Sequence, residues 1–293
     1  MDWRAIALGL VFVVAWSSAF TSARLVVLDA PPFLALSVRF LISGLIALAI
    51  GFAAGQRIAL NGRQWAAVIV FGLCQNALYL GLNFEALRTV EASLAVIIAS
   101  LLPLIVAGLD RLLFGGRLAP LGLAGLAAGF AGAVFIMVSR VEGAGVGTGI
   151  GLCVIAVLAL AVATLLVRGA SGGGNLWIVV GLQMLVGSAA LFPVAWALED
   201  WVVDWTPRLA AAFTYTTLVP GLAATMIWFV LVRRIGATRA ATFHFLNPFF
   251  GVATAALVLG ERVGPRDFAG VAVIMLGILA VQLSRADRAP VRP

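Results

Sequence analysis

Residues 87–140 read LRTVEASLAVIIASLLPLIVAGLDRLLFGGRLAPLGLAGLAAGFAGAVFIMVSR, and residues 232–285 read VRRIGATRAATFHFLNPFFGVATAALVLGERVGPRDFAGVAVIMLGILAVQLSR. Shifted by 145 positions with no gap, the two stretches match at Arg88 and Arg233, Ala92 and Ala237, Pro103 and Pro248, Gly115 and Gly260, and Arg117 and Arg262. The frame continues through Pro120 and Pro265, Gly125 and Gly270, Gly132 and Gly277, and the dipeptides Ser139-Arg140 and Ser284-Arg285. Apolar residues coincide readily by chance, but Pro, Gly and Arg matched in one frame do not. The chain is a tandem repeat.

Outward from this pair, the sequence divides into ten apolar stretches, at 4–23, 33–54, 65–84, 92–113, 118–139, 147–168, 176–198, 208–232, 239–259 and 266–284. A membrane-spanning helix needs about 20 mostly apolar residues, so the expected fold is an all-α polytopic membrane protein of ten transmembrane helices. The halves are 1–142 and 143–293, joined by the Gly-rich connection Glu142 to Gly147; a second Gly run, Ser171 to Gly174, joins spans six and seven. No room remains for a soluble domain. Five spans per copy is an odd number, which puts equivalent residues on opposite membrane faces: the repeat is an inverted 5+5. Inverted repeats are common in secondary transporters, whose site at the repeat interface opens alternately to each side.

Composition agrees. Of 293 residues, 63% are hydrophobic and 11% charged, with mean hydropathy +1.14, whereas soluble domains are roughly a quarter charged. All 19 basic residues are Arg, and the sequence pI is near 11.1. They fall singly or in pairs between apolar runs and form no basic stripe, so nucleic acid is not an expected partner. Arg in short loops is retained in the cytoplasm. With the N-terminus inside, Arg4, Arg57, Arg63, Arg111, Arg117, Arg168, Arg233, Arg234, Arg239, Arg285, Arg288 and Arg292 are cytoplasmic, against Arg24, Arg88, Arg140, Arg208, Arg262 and Arg266 outside. Both termini are therefore expected in the cytoplasm. The first span lacks an extended basic leader and reads as a retained helix rather than a signal peptide. Trp3, Trp65, Trp177, Trp201 and Trp205 lie near span ends, where indoles anchor at the headgroups. Cys74 and Cys153 sit in apolar runs without metal-ligand spacing and read as small buried hydrophobes.

Polar groups inside a span face a partner helix or a wet cavity. Span one carries Trp16, Ser17, Ser18 and Thr21 in the run WSSAFTS. In span three, α-helical spacing puts Asn76, Tyr79 and Asn83 on one face. The second half adds Trp228, His244 and Asn247. These residues fit a substrate cavity, with Trp16, Tyr79 and Trp228 as stacking surface and Ser17, Asn76, Asn83 and Asn247 holding polar ends; helix–helix hydrogen bonding is the competing use. Pro103, Pro220 and Pro248 fall near the middle of spans four, eight and nine and are expected as kinks or hinges. His244, the sole His, is either a structural hydrogen-bonding group or a proton carrier. Arg39, inside span two, either snorkels to the outer headgroups or binds a carboxylate. No span centre contains Asp or Glu, and no zinc, phosphate-loop or nucleophile-elbow motif occurs. Neither catalysis, a cofactor nor a resident metal is expected.

The sequence resembles the drug/metabolite transporter superfamily, EamA type. The resemblance is carried by WSSAF at 16–20, PPFLALSVRF at 31–40, NFEAL at 83–87, LLPL at 101–104, VPG at 219–221, RRIGATRAATFHFLNPFFGV at 233–252 and LGERV at 259–263. It implies a ten-helix inverted-repeat carrier of a bacterial inner membrane. Within the superfamily the chain looks most like bacterial exporters of aromatic and other neutral amino acids of the YddG kind. It departs from the pattern at Gly116, the counterpart of Glu261, where many relatives carry an acid in both halves; Glu261 itself is expected as a helix cap or in a salt bridge with Arg262. The expected function is export of small metabolites, foremost neutral or aromatic amino acids, by alternating access. A channel, a lipid translocator and an intramembrane enzyme are the rival readings. A monomer suffices for this, although the spacings Gly125 to Gly129 and Gly147 to Gly151 fit close packing within or between chains.

Overall fold

A computed structural model describes residues 3–114, 119–139, 145–166, 175–235, 240 and 243–286. The expected boundary at 142/143, the Gly run 171–174, Gly116 and the matched residues Gly115, Arg117, Arg140 and Ala237 lie outside these.

The described residues form ten antiparallel rods: α1 (Trp3–Asp29), α2 (Pro32–Ala53), α3 (Gly62–Ala86), α4 (Ala92–Ala99 and Leu102–Phe114) and α5 (Pro120–Ser139), then α6 (Val146–Leu166), α7 (Leu176–Leu198), α8 (Pro207–Leu218, Val219–Ala223 and Ala224–Ile235), α9 (Phe243–Leu259) and α10 (Pro265–Ala286). All but α9 are long and apolar enough to cross a membrane. The outward faces carry exposed apolar side chains such as Leu112, Val138, Leu257 and Leu276, as lipid contact requires. Cys153 is buried and both cysteines are free thiols.

Two antiparallel pairs join the halves. Helices α5 and α10 meet through glycine: a methyl group at Gly125 would stand 2.7 Å from the Gly277 carbonyl, and one at Gly132 would stand 3.0 Å from the Gly270 carbonyl. Gly125 and Gly132 are the repeat equivalents of Gly270 and Gly277, so the two contacts exchange under the pseudo-two-fold. The Gly125 contact is thus made within the chain, whereas methyl groups at Gly147 and Gly151 would meet nothing within 4 Å. Helices α2 and α7 approach at Gly44 and Gly181 in the same way. Reciprocal serines pin that pair: Ser37 Oγ donates to the Ser188 carbonyl (3.0 Å) and Ser188 Oγ to the Ser37 carbonyl (2.9 Å).

Three helix ends are closed across the repeat, whereas α3 is closed locally by the Asn61–Gln64 capping box and α8 by Thr206. Beyond α7, the Glu199 carboxylate accepts from the Phe33 and Leu34 amides at 2.7 and 2.8 Å and caps α2. Burial raises the Glu199 pKa, and the two amides pull it back down. Beyond α2, Gln56 Oε1 accepts from the Trp177 and Ile178 amides and caps α7 in return. Glu261, after α9, accepts from the Ala92 and Ser93 amides at 2.7 and 3.0 Å. It is a cap, as expected, but of α4 in the other half. Glycine has no side chain, so Gly116 offers no such carboxylate. Gly260, at φ 68°, ends α9 in the left-handed conformation that glycine adopts freely.

Spans one, four and nine differ from expectation. Helix α1 continues beyond residue 23 to Asp29, and its 27 residues span about 40 Å at ~1.5 Å per residue, more than the hydrocarbon core of about 30 Å. The extra turns hold because their charges are partnered. Arg24 donates to the Leu87 carbonyl; Asp29 accepts from Thr206 Oγ1 at 2.7 Å and from Arg208. Span four breaks at Ser100–Leu101, and its second piece begins at Leu102. In span nine a 3-10 turn, Phe243–Leu246, leads into the α-helix Asn247–Leu259. The pieces Leu102–Phe114 and Asn247–Leu259 are repeat equivalents at both ends, so the interruption belongs to the duplicated unit.

Candidate functional site

A cavity of about 430 Å³ lies at the centre of the bundle, walled by α1 to α4 and α6 to α9. Both halves contribute, while none of its lining comes from α5 or α10, which serve as scaffold.

Its aromatic side comes from α1, α8 and α9. Phe12 packs on Trp228 with centroids 5.1 Å apart, Trp16 lies 5.7 Å from Phe12, and the His244 ring stands 4.9 Å from Trp228 and edge-on to Phe12 at 5.3 Å. Such offset and edge-to-face arrangements suit ring quadrupoles. Asn247 orients the imidazole: its Nδ2 donates to His244 Nδ1 at 3.0 Å while its Oδ1 accepts from Ser17 Oγ at 3.4 Å. In this arrangement His244 accepts at Nδ1 and carries its proton on Nε2.

The polar side comes from α3, whose middle, Gly72–Leu80, is π-helical. The spacing of its polar residues predicts an α-helix here. Wider i→i+5 turns rotate successive side chains differently, yet Asn76, Tyr79 and Asn83 all reach the cavity, joined by Gln75. Glycine lets α7 come close here: a methyl at Gly72 would lie 2.8 Å from the Gln183 carbonyl. Asn76 Nδ2 donates to that carbonyl at 2.8 Å, so part of its polarity is spent on packing. Asn83 donates to the Tyr79 carbonyl at 2.7 Å, and its Oδ1 is buried without a partner. A buried unsatisfied acceptor on a cavity wall calls for a ligand or water donor.

The structure thus brings Trp16, Asn76, Tyr79, Asn83, Trp228, His244 and Asn247 together around one space, with Pro103 and Pro220. It does not bring Ser17 there. Ser17 is wholly buried behind the wall and bonds Asn247. Its neighbours behave alike: Ser18 bonds the Tyr215 hydroxyl at 2.8 Å and Thr21 bonds Thr254 at 3.2 Å. The hydroxyls of WSSAFTS are mostly glue between α1 and the second half. Pro248 is also buried outside the lining. None of the three prolines kinks a continuous α-helix. Pro103 and Pro248 stand in the first turn after an interruption, where a missing N–H costs nothing, and Pro220 lies in the π-turn Val219–Ala223.

Arg39 joins the candidate residues. It does not snorkel: it lines the cavity and is 6% exposed. Its position as the sole Arg well inside a span was the available signal. Among the described residues no Asp or Glu lines the cavity.

An inverted five-helix repeat around a cavity shared by both halves is the architecture of a membrane carrier. The chain belongs to the EamA-like transporter family, which matches residues 3–138 and again 147–283; it is a multi-pass membrane transporter and not an enzyme. It is similar to the "Uncharacterized transporter YvbV" of Bacillus subtilis (strain 168), 24% identical over 94% of this chain and 91% of that one. It is also similar over a shorter stretch to the "Aromatic amino acid exporter YddG" of Ancylobacter novellus, 33% identical over 39% of this chain and 40% of that one. A solved crystal structure shares the fold with TM-score 0.69 at 21% identity, covering 99% of this chain and all of the other.

Proposed function

We propose that the protein is a secondary transporter that exports small metabolites, foremost neutral and aromatic amino acids, across a bacterial inner membrane by alternating access. The observation that carries this reading is the cavity itself: it is framed by both halves, faced by Phe12, Trp16 and Trp228, and supplied with a few placed polar groups, as small-molecule sites are. The partial likeness to an aromatic amino-acid exporter supports the same substrate class. Both termini lie in the cytoplasm in this reading, supported by the distribution of Arg among the loops. The halves are 1–142 and 143–293; they rock about α5 and α10, while the interruptions at Pro103, Pro220 and Pro248 absorb the motion as hinges. Substrate stacks on the aromatic side and its polar end meets Asn76, Tyr79 and Asn83; Ser17, Asn247 and His244 hold the wall in place.

The test is reconstitution of the purified protein in liposomes with labelled amino acids. Saturable uptake accelerated by the same amino acid on the other side is expected. Flux equal to that of empty liposomes for all twenty would overturn the substrate class, and non-saturating flux would overturn the carrier.

A further inference from the structure

We propose that Arg39 is the anion-binding group of the cavity and takes a carboxylate of the transported substrate. This rests on the carrier reading above and adds to it which chemical group the site selects.

Arg39 sits on α2 seven residues from its Pro32 end, lines the cavity and is more than nine-tenths buried. Among the described residues its Nε has no hydrogen-bond partner and no carboxylate lines the same space. Its guanidinium lies 5.3 Å from the centre of the Phe40 ring, a far weaker partner than an anion. A guanidinium stays protonated, and an unpaired buried charge is costly. The fold nevertheless makes room for it. A methyl group at Gly221 would stand 3.3 Å from Arg39 Nη2 and 3.7 Å from Ser43 Oγ, so glycine in the π-turn of α8 lets that backbone approach both groups closely. The Thr216 carbonyl borders that point at 3.2 Å; in an α-helix it would bond the N–H of residue 220, which proline lacks. The hydroxyls of Ser43 and Thr216 are buried and unpartnered as well. Unspent donors on α2 and α8 thus gather around Gly221, which lines the cavity together with Arg39. Arginine's planar fork matches a carboxylate bidentately. A substrate anchored there extends its apolar part toward Trp16 and Trp228.

The experiment measures binding to purified protein in detergent by calorimetry with three probes of one skeleton: tryptophan, indole-3-propionate (carboxylate, no amine) and tryptamine (amine, no carboxylate). The parent is expected to bind both carboxylates at least ~10-fold more tightly than tryptamine, in line with a charge-assisted hydrogen bond. In Arg39→Gln that preference disappears, and Arg39→Lys keeps part of it. The thermal midpoint of the unliganded protein provides a second reading. If Arg39 serves a ligand, Arg39→Leu removes an uncompensated buried charge and raises the midpoint; a structural arginine would lower it.

Equal binding of tryptamine and indole-3-propionate, or tryptophan bound alike by parent and Arg39→Gln, would overturn the role of Arg39 while leaving amino-acid transport standing. Indole-3-propionate bound through Arg39 with tryptophan ignored would leave Arg39 standing and overturn the amino-acid reading. Binding of none of the three overturns the role of Arg39, whereas the amino-acid reading stands or falls with the flux of the twenty in liposomes.

Discussion

Side chains of the same type have opposite employments in this protein. Asn247 is consumed by its neighbours, bonded to His244 and to Ser17, while Asn83 keeps an unpartnered oxygen on the cavity wall. Under the proposed function Asn83→Ala raises the KM for transport about 10-fold, the worth of one hydrogen bond to a charged group. The thermal midpoint should stay close to that of the parent, because the only side-chain hydrogen bond of Asn83 among the described residues is to the Tyr79 carbonyl one turn away. Kinetics in liposomes and a melting curve check the two halves of this expectation. Both asparagines were legible in the sequence as intramembrane polar groups. Which one faces a ligand was not, because hydrogen-bond partners 230 residues apart, such as Ser17 and Asn247, are set by helix packing.

At the scale of helices, local departures from α-geometry and caps supplied by the other half organise the bundle. The chain advertises the interruptions through Pro103, Pro220 and Pro248, but not their form: a break, a π-turn and a 3-10 turn respectively. The π-helix Gly72–Leu80 contains no proline and gave no warning. Glu261 illustrates the caps. Truncation in Glu261→Ala leaves the Ala92 and Ser93 amides without their carboxylate and should cost about 1–3 kcal/mol of stability, read as a lowered midpoint in denaturant or heat. The α5–α10 crossing is less forgiving. A side chain at Gly277 would meet the Gly125 carbonyl at 2.6 Å and the Gly129 backbone at 2.8 Å, neither able to swing aside. Gly277→Val should therefore cost several kcal/mol, about 3 or more, and give little folded protein on size-exclusion chromatography. Gly151→Val, at a glycine with open space in front of it, should behave like the parent and serves as control.

The whole molecule is two copies of one five-helix unit with opposite orientations, held by α2 on α7 and α5 on α10 and enclosing a cavity between them. In the proposed topology the end carrying Asp29, Glu199 and Glu261 faces away from the cytoplasm and the end carrying Arg57 and Arg63 faces it. In a cysteine-free background, Trp205→Cys should label with a membrane-impermeant maleimide in intact cells, and Arg57→Cys only after the membrane is opened; the reverse pattern would invert the topology. Sequence by itself determined the membrane class, the ten apolar segments and the inverted duplication. Hydropathy over 20 residues and the placement of Pro, Gly and Arg along a repeat are properties of the chain in one dimension. Only the tertiary structure decided which polar residues face the cavity and which are glue, which carboxylate caps which helix, and that Arg39 is buried and unpaired rather than drawn out to the headgroups. A side chain's facing depends on the rotation of its helix against neighbours from the other half, and a single wide turn in α3 or α8 changes that rotation without leaving a distinctive mark in the sequence.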